Sequence, residues 1–194
     1  KRQVFNCMNT DKICIFTDTG KMHTIKAVDI PLGRFRDKGT PVDNLSNYDS
    51  SQERMLYVAP VGQLRSDRLL FVTKTSMCKL VEGAEFDVAK RTIASTKLAD
   101  EDELIFIGSA SEMEQIVLQS HGGCFLRFLT QEVSTMKKTA LGVRGMKLAD
   151  DDYLEHAYLL AGHQEYTISY HDKEYALNKV RLAKRDTKGI KPRI

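Results

Sequence analysis

The strings "KLADEDEL" (97–104) and "KLADDDYL" (147–154) differ at two of eight positions and stand fifty residues apart. The likeness extends to both sides, so it marks an internal repeat, and the period is the first thing to read. Four segments share one plan of apolar run, short turn and second apolar run. They are "KICIFTDTGKMHTIKAVDIP" (12–31), "DRLLFVTKTSMCKLVEGAEF" (67–86), "EQIVLQSHGGCFLRFLTQEV" (114–133) and "QEYTISYHDKEYALNKVRL" (164–182). Short runs rich in Ile, Val, Phe and Tyr, separated by Gly, Asp, Ser or Lys, read as β-hairpins. With Thr17, Thr73, Ser120 and Tyr170 as equivalent positions, the spacings are 56, 47 and 50 residues.

A further strand is expected before each hairpin, in "RQVFNCMN" (2–9), "ERMLYVAPV" (53–61), "DELIFIGSA" (102–110) and "DYLEHAYLL" (152–160). After each hairpin comes a less regular segment with a short strand, in "KGTPVDNL" (38–45), "RTIASTKL" (91–98), "GVRGMKL" (142–148) and "KGIKPRI" (188–194). A unit therefore has about four strands in about fifty residues. Such units fit an all-β, propeller-like array of about four blades, open or part of a larger ring. The units fall at 1–49, 50–99, 100–150 and 151–194 of a single repeat domain. No amphipathic helix stands out; the best candidate, around 85–93, is short enough to be a turn.

Composition excludes several classes. Apolar residues make up 42% and charged residues 28%, as in ordinary globular proteins. Apolar runs such as 104–107 are far too short to span a bilayer, so no membrane partner is expected. The chain opens inside a strand-like run, without an initiator Met or a secretory signal, and reads as a cut edge of a larger protein. Cys7, Cys14, Cys78 and Cys124 form no CxxC pair, and the five histidines show no HxxxH or HExxH spacing. Neither metal nor cofactor is expected in the domain. "SHGG" (120–123) has the composition of an oxyanion-hole loop but falls where other units have "TDTG" and "TKTS", so it reads as a hairpin turn. The acid runs at 100–103 and 150–152 are likewise repeat-equivalent loops without a rigid oxygen cage for a cation.

The net charge of +3 conceals a segregation. Windows 34–39, 89–97, 136–147 and 179–193 hold 17 of the 29 basic residues and two of the 26 acids, Asp37 and Asp186. In a repeat array equivalent positions face the same way, so these windows predict a basic band on one rim, away from the acid runs. A regularly spaced basic band suits a phosphate backbone, which it positions without reading bases. It also favours bent duplex, since bending brings more phosphates within reach. The expected DNA contacts are Arg34, Arg36, Lys38, Lys90, Arg91, Lys137, Lys138, Arg144, Lys147, Lys184, Arg185 and Lys188. Glycines in "GVRG" and "TKGIK" are expected to let the backbone approach phosphate and donate N–H groups.

The stretches "IFTDTGKMHTIKAVDIPLGRFRDKGTPVDNL" and "TALGVRGMKLADDD" resemble the C-terminal domain of the A subunit of bacterial type IIA topoisomerases, gyrase and topoisomerase IV. The T-x-x-G turn falls at Thr17–Gly20 and the I-P corner at Ile30–Pro31; "KRDTKG" (184–189) fits the same place in the last unit. The resemblance covers essentially the whole chain. It implies a β-pinwheel, a propeller variant whose blades exchange strands. It implies a domain that wraps or bends double-stranded DNA and presents it for passage by a catalytic core elsewhere in the same polypeptide. None of the seven tyrosines is then catalytic. The implied partners are DNA, the ATPase B subunit, and the remainder of the A subunit, in a bacterial cytoplasm at the nucleoid. Two departures stand out. The family has about five or six blades against four here, and the gyrase box Q-R-R-G-G-K-G does not occur in this sequence. A topoisomerase IV-like parent is the leading reading and gyrase the second. A protein-interaction propeller that does not bind DNA is the alternative from another class.

Overall fold

A computed structural model describes residues 3–193. In chain order its strands are β1 (Lys12–Thr17), β2 (Lys21–Lys26), β3 (Met55–Pro60), β4 (Arg68–Thr73), β5 (Met77–Glu82), β6 (Thr92–Ala94) and β7 (Leu104–Ser109). Then follow β8 (Gln115–Ser120), β9 (Phe125–Leu129), β10 (Val143–Arg144), β11 (Leu154–Leu160), β12 (Thr167–Tyr170) and β13 (Lys173–Ala176). One four-residue helix, α1 (Val61–Leu64), and five 3-10 turns complete the inventory of described elements. All four predicted hairpins form: β1–β2, β4–β5, β8–β9 and β12–β13. The helical candidate around 85–93 is a 3-10 turn at Gly83–Phe86 followed by irregular chain that leads into β6.

Each of the first three sheets draws on two successive units. The first has the order β3-β1-β2-β6, so the first hairpin is flanked by strands from either side of the second hairpin in sequence. The second has the order β10-β5-β4-β7. The third, β11-β8-β9, has three named strands; irregular chain takes the fourth place, with single bridges from Phe125 to Ile190 and from Arg127 to Leu182. The fourth is the hairpin β12–β13. The windows 1–49, 50–99, 100–150 and 151–194 thus mark repeats of sequence and do not coincide with sheets.

Three expected strands do not form among the described residues. Residues 3–8 are irregular, and 38–45 contains a 3-10 turn at Val42–Asn44; Arg2, in the same expected strand, lies outside the described residues. A strand requires an open edge to pair with. β3 and β6 already occupy both edges of the first hairpin. In the last segment Ile190 makes a single bridge in place of the expected strand, and Ile194 lies outside the described residues.

Alternation along the central strands fills the space between sheets. On β4, Leu69 and Phe71 pack with Cys14, Phe16 and Met22 of the first sheet. Leu70 and Val72 pack with Ile116, Leu118 and Phe128 of the third. All four β4 side chains are buried, so neither face of this sheet is a surface. Full burial of such a side chain contributes about 1.5–3 kcal/mol, which is why a lone unit cannot stand by itself.

The repeated "KLAD" strings form the corner between sheets. In each, a carboxylate closes the preceding hairpin turn. Asp102 accepts from Thr75 N at 3.1 Å and Thr75 Oγ1 at 2.6 Å, and Asp152 accepts from Gly122 N at 2.8 Å. Both corners place an acid at positive φ, Glu101 at 60° and Asp151 at 62°. In the first unit Glu53 closes the turn instead. It accepts from Thr17 Oγ1 at 2.7 Å and Thr19 Oγ1 at 3.0 Å and pairs with His23 Nε2 at 2.6 Å, fully enclosed. Burial alone would raise the Glu53 carboxyl. The bonds from Thr17, Thr19, the Asp49 amide and His23 outweigh it and hold the group below the usual range.

Candidate nucleic-acid interface

β7 packs against both β3 and β11, so these three strands cluster at the axis of the array. The opposite sheet edges face outward, and the irregular segments run along them. Arg91 O accepts from Thr24 N on β2; Ser134 O accepts from Leu80 N on β5; Ile190 O accepts from Phe125 N on β9. These segments also join one another. Lys97 N donates to Lys138 O at 3.0 Å, and Lys147 N donates to Thr187 O at 2.9 Å. The exposure pattern of 91–100 repeats without change at 141–150. The outer rim of units two to four is therefore one hydrogen-bonded band.

Nine of the twelve expected contacts sit on this band: Lys90, Arg91, Lys137, Lys138, Arg144, Lys147, Lys184, Arg185 and Lys188. Lys138 and Arg185 are half-buried and the other seven are exposed. Arg34, Arg36 and Lys38 are exposed too, but on the loop 30–41, which forms no strand. There Arg34 N donates to Asp37 Oδ2 at 2.7 Å, and the two side chains pair at 3.5 Å.

Two band cations already have carboxylate partners. Lys137 Nζ lies 3.3 Å from Glu85, whose other oxygen accepts from Lys138 N at 3.1 Å. Burial alone would raise the Glu85 carboxyl; the Lys138 amide bond and the Lys137 ammonium hold it low. Arg144 is bonded to Asp186 through Nε and Nη2, which raises the guanidinium and lowers the carboxyl. Arg185 donates to Glu132 O, to Arg144 O and, through its backbone N, to the Glu132 carboxylate. Glu85 and Glu132 lie outside the basic windows in sequence. Sheet exchange brings the turn of one unit under the rim of the next, which a linear charge profile cannot register.

Two basic residues that hold the band were not among the expected ones. Lys79, on β5, is 1% exposed, and its Nζ donates to Lys138 O at 2.8 Å and Ala140 O at 2.6 Å, over the Phe71 ring. Burial pushes its amine down to about 8. Arg127, on β9, donates to the carbonyls of Asn178 and Val180 and to Gln115 Oε1. The available signal was a lone cation inside an apolar run, "MCKLVE" and "FLRFL".

The glycine expectation is corrected. A Cβ on Gly142 would lie 2.6 Å from Cys78 O, and one on Gly189 would lie 2.6 Å from Phe125 O; both residues have positive φ, 107° and 72°. They let the rim approach its own neighbouring strand. The N–H of Gly145 is spent likewise, on Ser76 O at 2.7 Å.

The remaining motifs are structural. "SHGG" is the turn of the third hairpin, closed by Gly123 N donating to Ser120 O, with His121 stacked on Tyr153 and bonded to Glu155. Burial pushes the Cys14 and Cys78 thiols up to about 12. Among the described residues no three His, Cys, Asp or Glu side chains are grouped as metal ligands. Among the described residues no helix is long and apolar enough to cross a membrane.

A family model described as DNA gyrase C-terminal domain, beta-propeller, matches residues 11–50, 67–111 and 114–161. Together these are more than half of the chain, and each stretch carries one hairpin. The chain belongs to this family. Among relatives of this gyrase C-terminal domain, the DNA gyrase A subunit of Ureaplasma parvum is 27% identical over 184 residues, covering 92% of this chain and 22% of its own length. The A subunit of DNA topoisomerase 4 from Bacillus subtilis is 29% identical over 153 residues, covering 77% of this chain and 19% of its own. The chain spans about a fifth of the length of these relatives. A crystal structure of the C-terminal domain of DNA topoisomerase IV superposes with a TM-score of 0.83 at 24% identity, over 94% of this chain and 58% of that one. It shares the fold.

Proposed function

We propose that this domain binds double-stranded DNA without sequence preference and bends it along the outer rim. The observation that supports this is the continuity of the rim. Three successive segments, each rich in Lys and Arg, are hydrogen-bonded into one band around the axis. A duplex following that band meets cations at intervals set by the repeat, and bending keeps its phosphates in contact. In the parent A subunit of a type IIA topoisomerase, the domain presents the bent segment for strand passage. Cleavage belongs to another part of that polypeptide, and ATP hydrolysis to the B subunit. This role needs no cofactor within the domain and places the enzyme at the bacterial nucleoid, in the cytoplasm.

A topoisomerase IV-type role, relaxation and decatenation, is the leading form of the proposal, because the box Q-R-R-G-G-K-G does not occur in this sequence. A gyrase-type role is the second form, favoured by the gyrase relative that aligns over 92% of the chain.

The test is binding to a short linear duplex over a salt series, with end-to-end fluorescence transfer to report bending. If about six to ten phosphates are engaged, affinity falls roughly 10³- to 10⁵-fold between about 50 and 200 mM salt, with transfer rising on binding. A flat salt response without bending would favour a protein-interaction propeller and overturn the proposal.

A further inference from the structure

The two joints of the rim differ. At the first, where Lys97 N meets Lys138 O, a cleft of about 460 Å³ opens between the second and third units. Ile93 and Ala94 form its floor, and Lys90, Lys97, Lys138 and Thr139 stand around it. Lys90 and Lys97 are exposed, and among the described residues neither lies within 4.0 Å of a carboxylate. Lys138 Nζ donates to Glu85 O at 3.3 Å, which leaves two of its three protons.

At the second joint, where Lys147 N meets Thr187 O, two of the equivalent positions carry opposite charges. Arg144 stands where the first joint has Ala94, and Asp186 stands where it has Lys137. The two pair across the gap. The carboxylate takes up the charge of the guanidinium through two hydrogen bonds.

An apolar floor edged by three ammonium groups and a hydroxyl matches one chemistry well. The floor accepts the C–H face of a deoxyribose, and the edge accepts the flanking phosphates. A small free anion has no use for the floor. We propose that the cleft between Lys97 and Lys138 seats the sugar–phosphate backbone of the bound DNA, and that the Arg144–Asp186 pair keeps the equivalent second joint closed. This rests on the DNA-binding reading and deepens it: one joint grips, the other is latched.

The experiment compares the salt slopes of the whole chain and its variants on one short duplex. Lys97→Glu and the milder Lys97→Gln are expected to lower the slope by about one ion each and weaken binding to all sequences alike. Lys147→Glu, the same residue of the repeat at the latched joint, is expected to change the slope by less than half as much. Asp186→Ala frees Arg144 and opens the second joint, so it is expected to tighten binding and steepen the slope. Thermal melts confirm that each variant is folded; should Lys97→Glu fail, Lys97→Gln decides. Equal slopes for the Lys97 and Lys147 variants, or no gain from Asp186→Ala, would overturn the seat while a steep wild-type slope leaves the DNA reading standing. A flat wild-type slope would overturn both.

Discussion

The Nζ of Lys79 donates to the carbonyl of Lys138, so a buried lysine holds the loop that displays a surface one. The same ammonium reaches Ala140 O and thereby fixes both sides of the residue between them. Lys138 O also accepts from Lys97 N, which makes it the node where two rim segments meet. The rim therefore depends on a cation that no solvent or DNA can touch.

That arrangement has a pH signature. The Lys79 amine titrates near 8 in the folded chain against 10.5 ordinarily. Between these values the unfolded chain binds a proton that the folded chain does not, so stability rises with pH across the window. The expected slope is at most about 1.4 kcal/mol per pH unit. The neutral amine keeps two N–H groups, enough for both carbonyls. Lys79→Met removes the titration. Chemical denaturation at pH 7.5, 8.5 and 9.5 should show a rise in the wild type that is absent from the variant.

Glu53 works in the opposite direction. Its folded pKa lies below the ordinary 4.5, so its contribution is complete above that value and is lost as pH falls through the folded one. Glu53→Gln places an amide NH2 among the four groups that bond the carboxylate and breaks the pair with His23. It is expected to cost on the order of 3 kcal/mol at neutral pH and to flatten the acid limb. A denaturation midpoint that matches wild type at pH 7 would show that the pair carries no stability.

Three glycines, one on the loop 30–41 and two on the rim, separate contact from conformation. Gly39, Gly142 and Gly189 all have positive φ, but only the last two lie against a neighbouring strand. Gly39→Ala is expected to cost about 1–2 kcal/mol for the left-handed backbone alone. Gly142→Ala adds a clash with Cys78 O and is expected to cost about 1–3 kcal/mol more. Thermal melts of the two variants give the difference directly; equal losses would mean that the rim can move off β5 freely.

Phe71 tests whether the sheets share one core. It touches Phe16 and Phe86 and is fully buried between the first and second sheets. Phe71→Ala is expected to cost about 3–5 kcal/mol and to lower the melting of the whole array in a single transition. A separate, unshifted transition would show that the third sheet folds on its own.

The four hairpins were legible because their signals are local: alternation of apolar residues, a turn residue at Gly20 or Gly123, and a repeat of about fifty residues. The strands at 104–109 and 154–160 were legible for the same reason. The failure at 3–8 and 38–45 has a tertiary cause, because pairing depends on an edge being open. Nine of the twelve basic residues do share one band, since equivalent positions of a repeat face alike. The pairing of Lys137 with Glu85 was illegible, because that acid arrives from a different unit.

The sequence by itself determined the repeat, the all-β hairpins and the segregation of charge, because each is a property of spacing and of residues near one another along the chain. The tertiary structure decided which unit completes which sheet, which cations remain unpaired and which are buried. Those outcomes depend on strand edges and packing distances between units, and the strand exchange at β3 and β6 sets both.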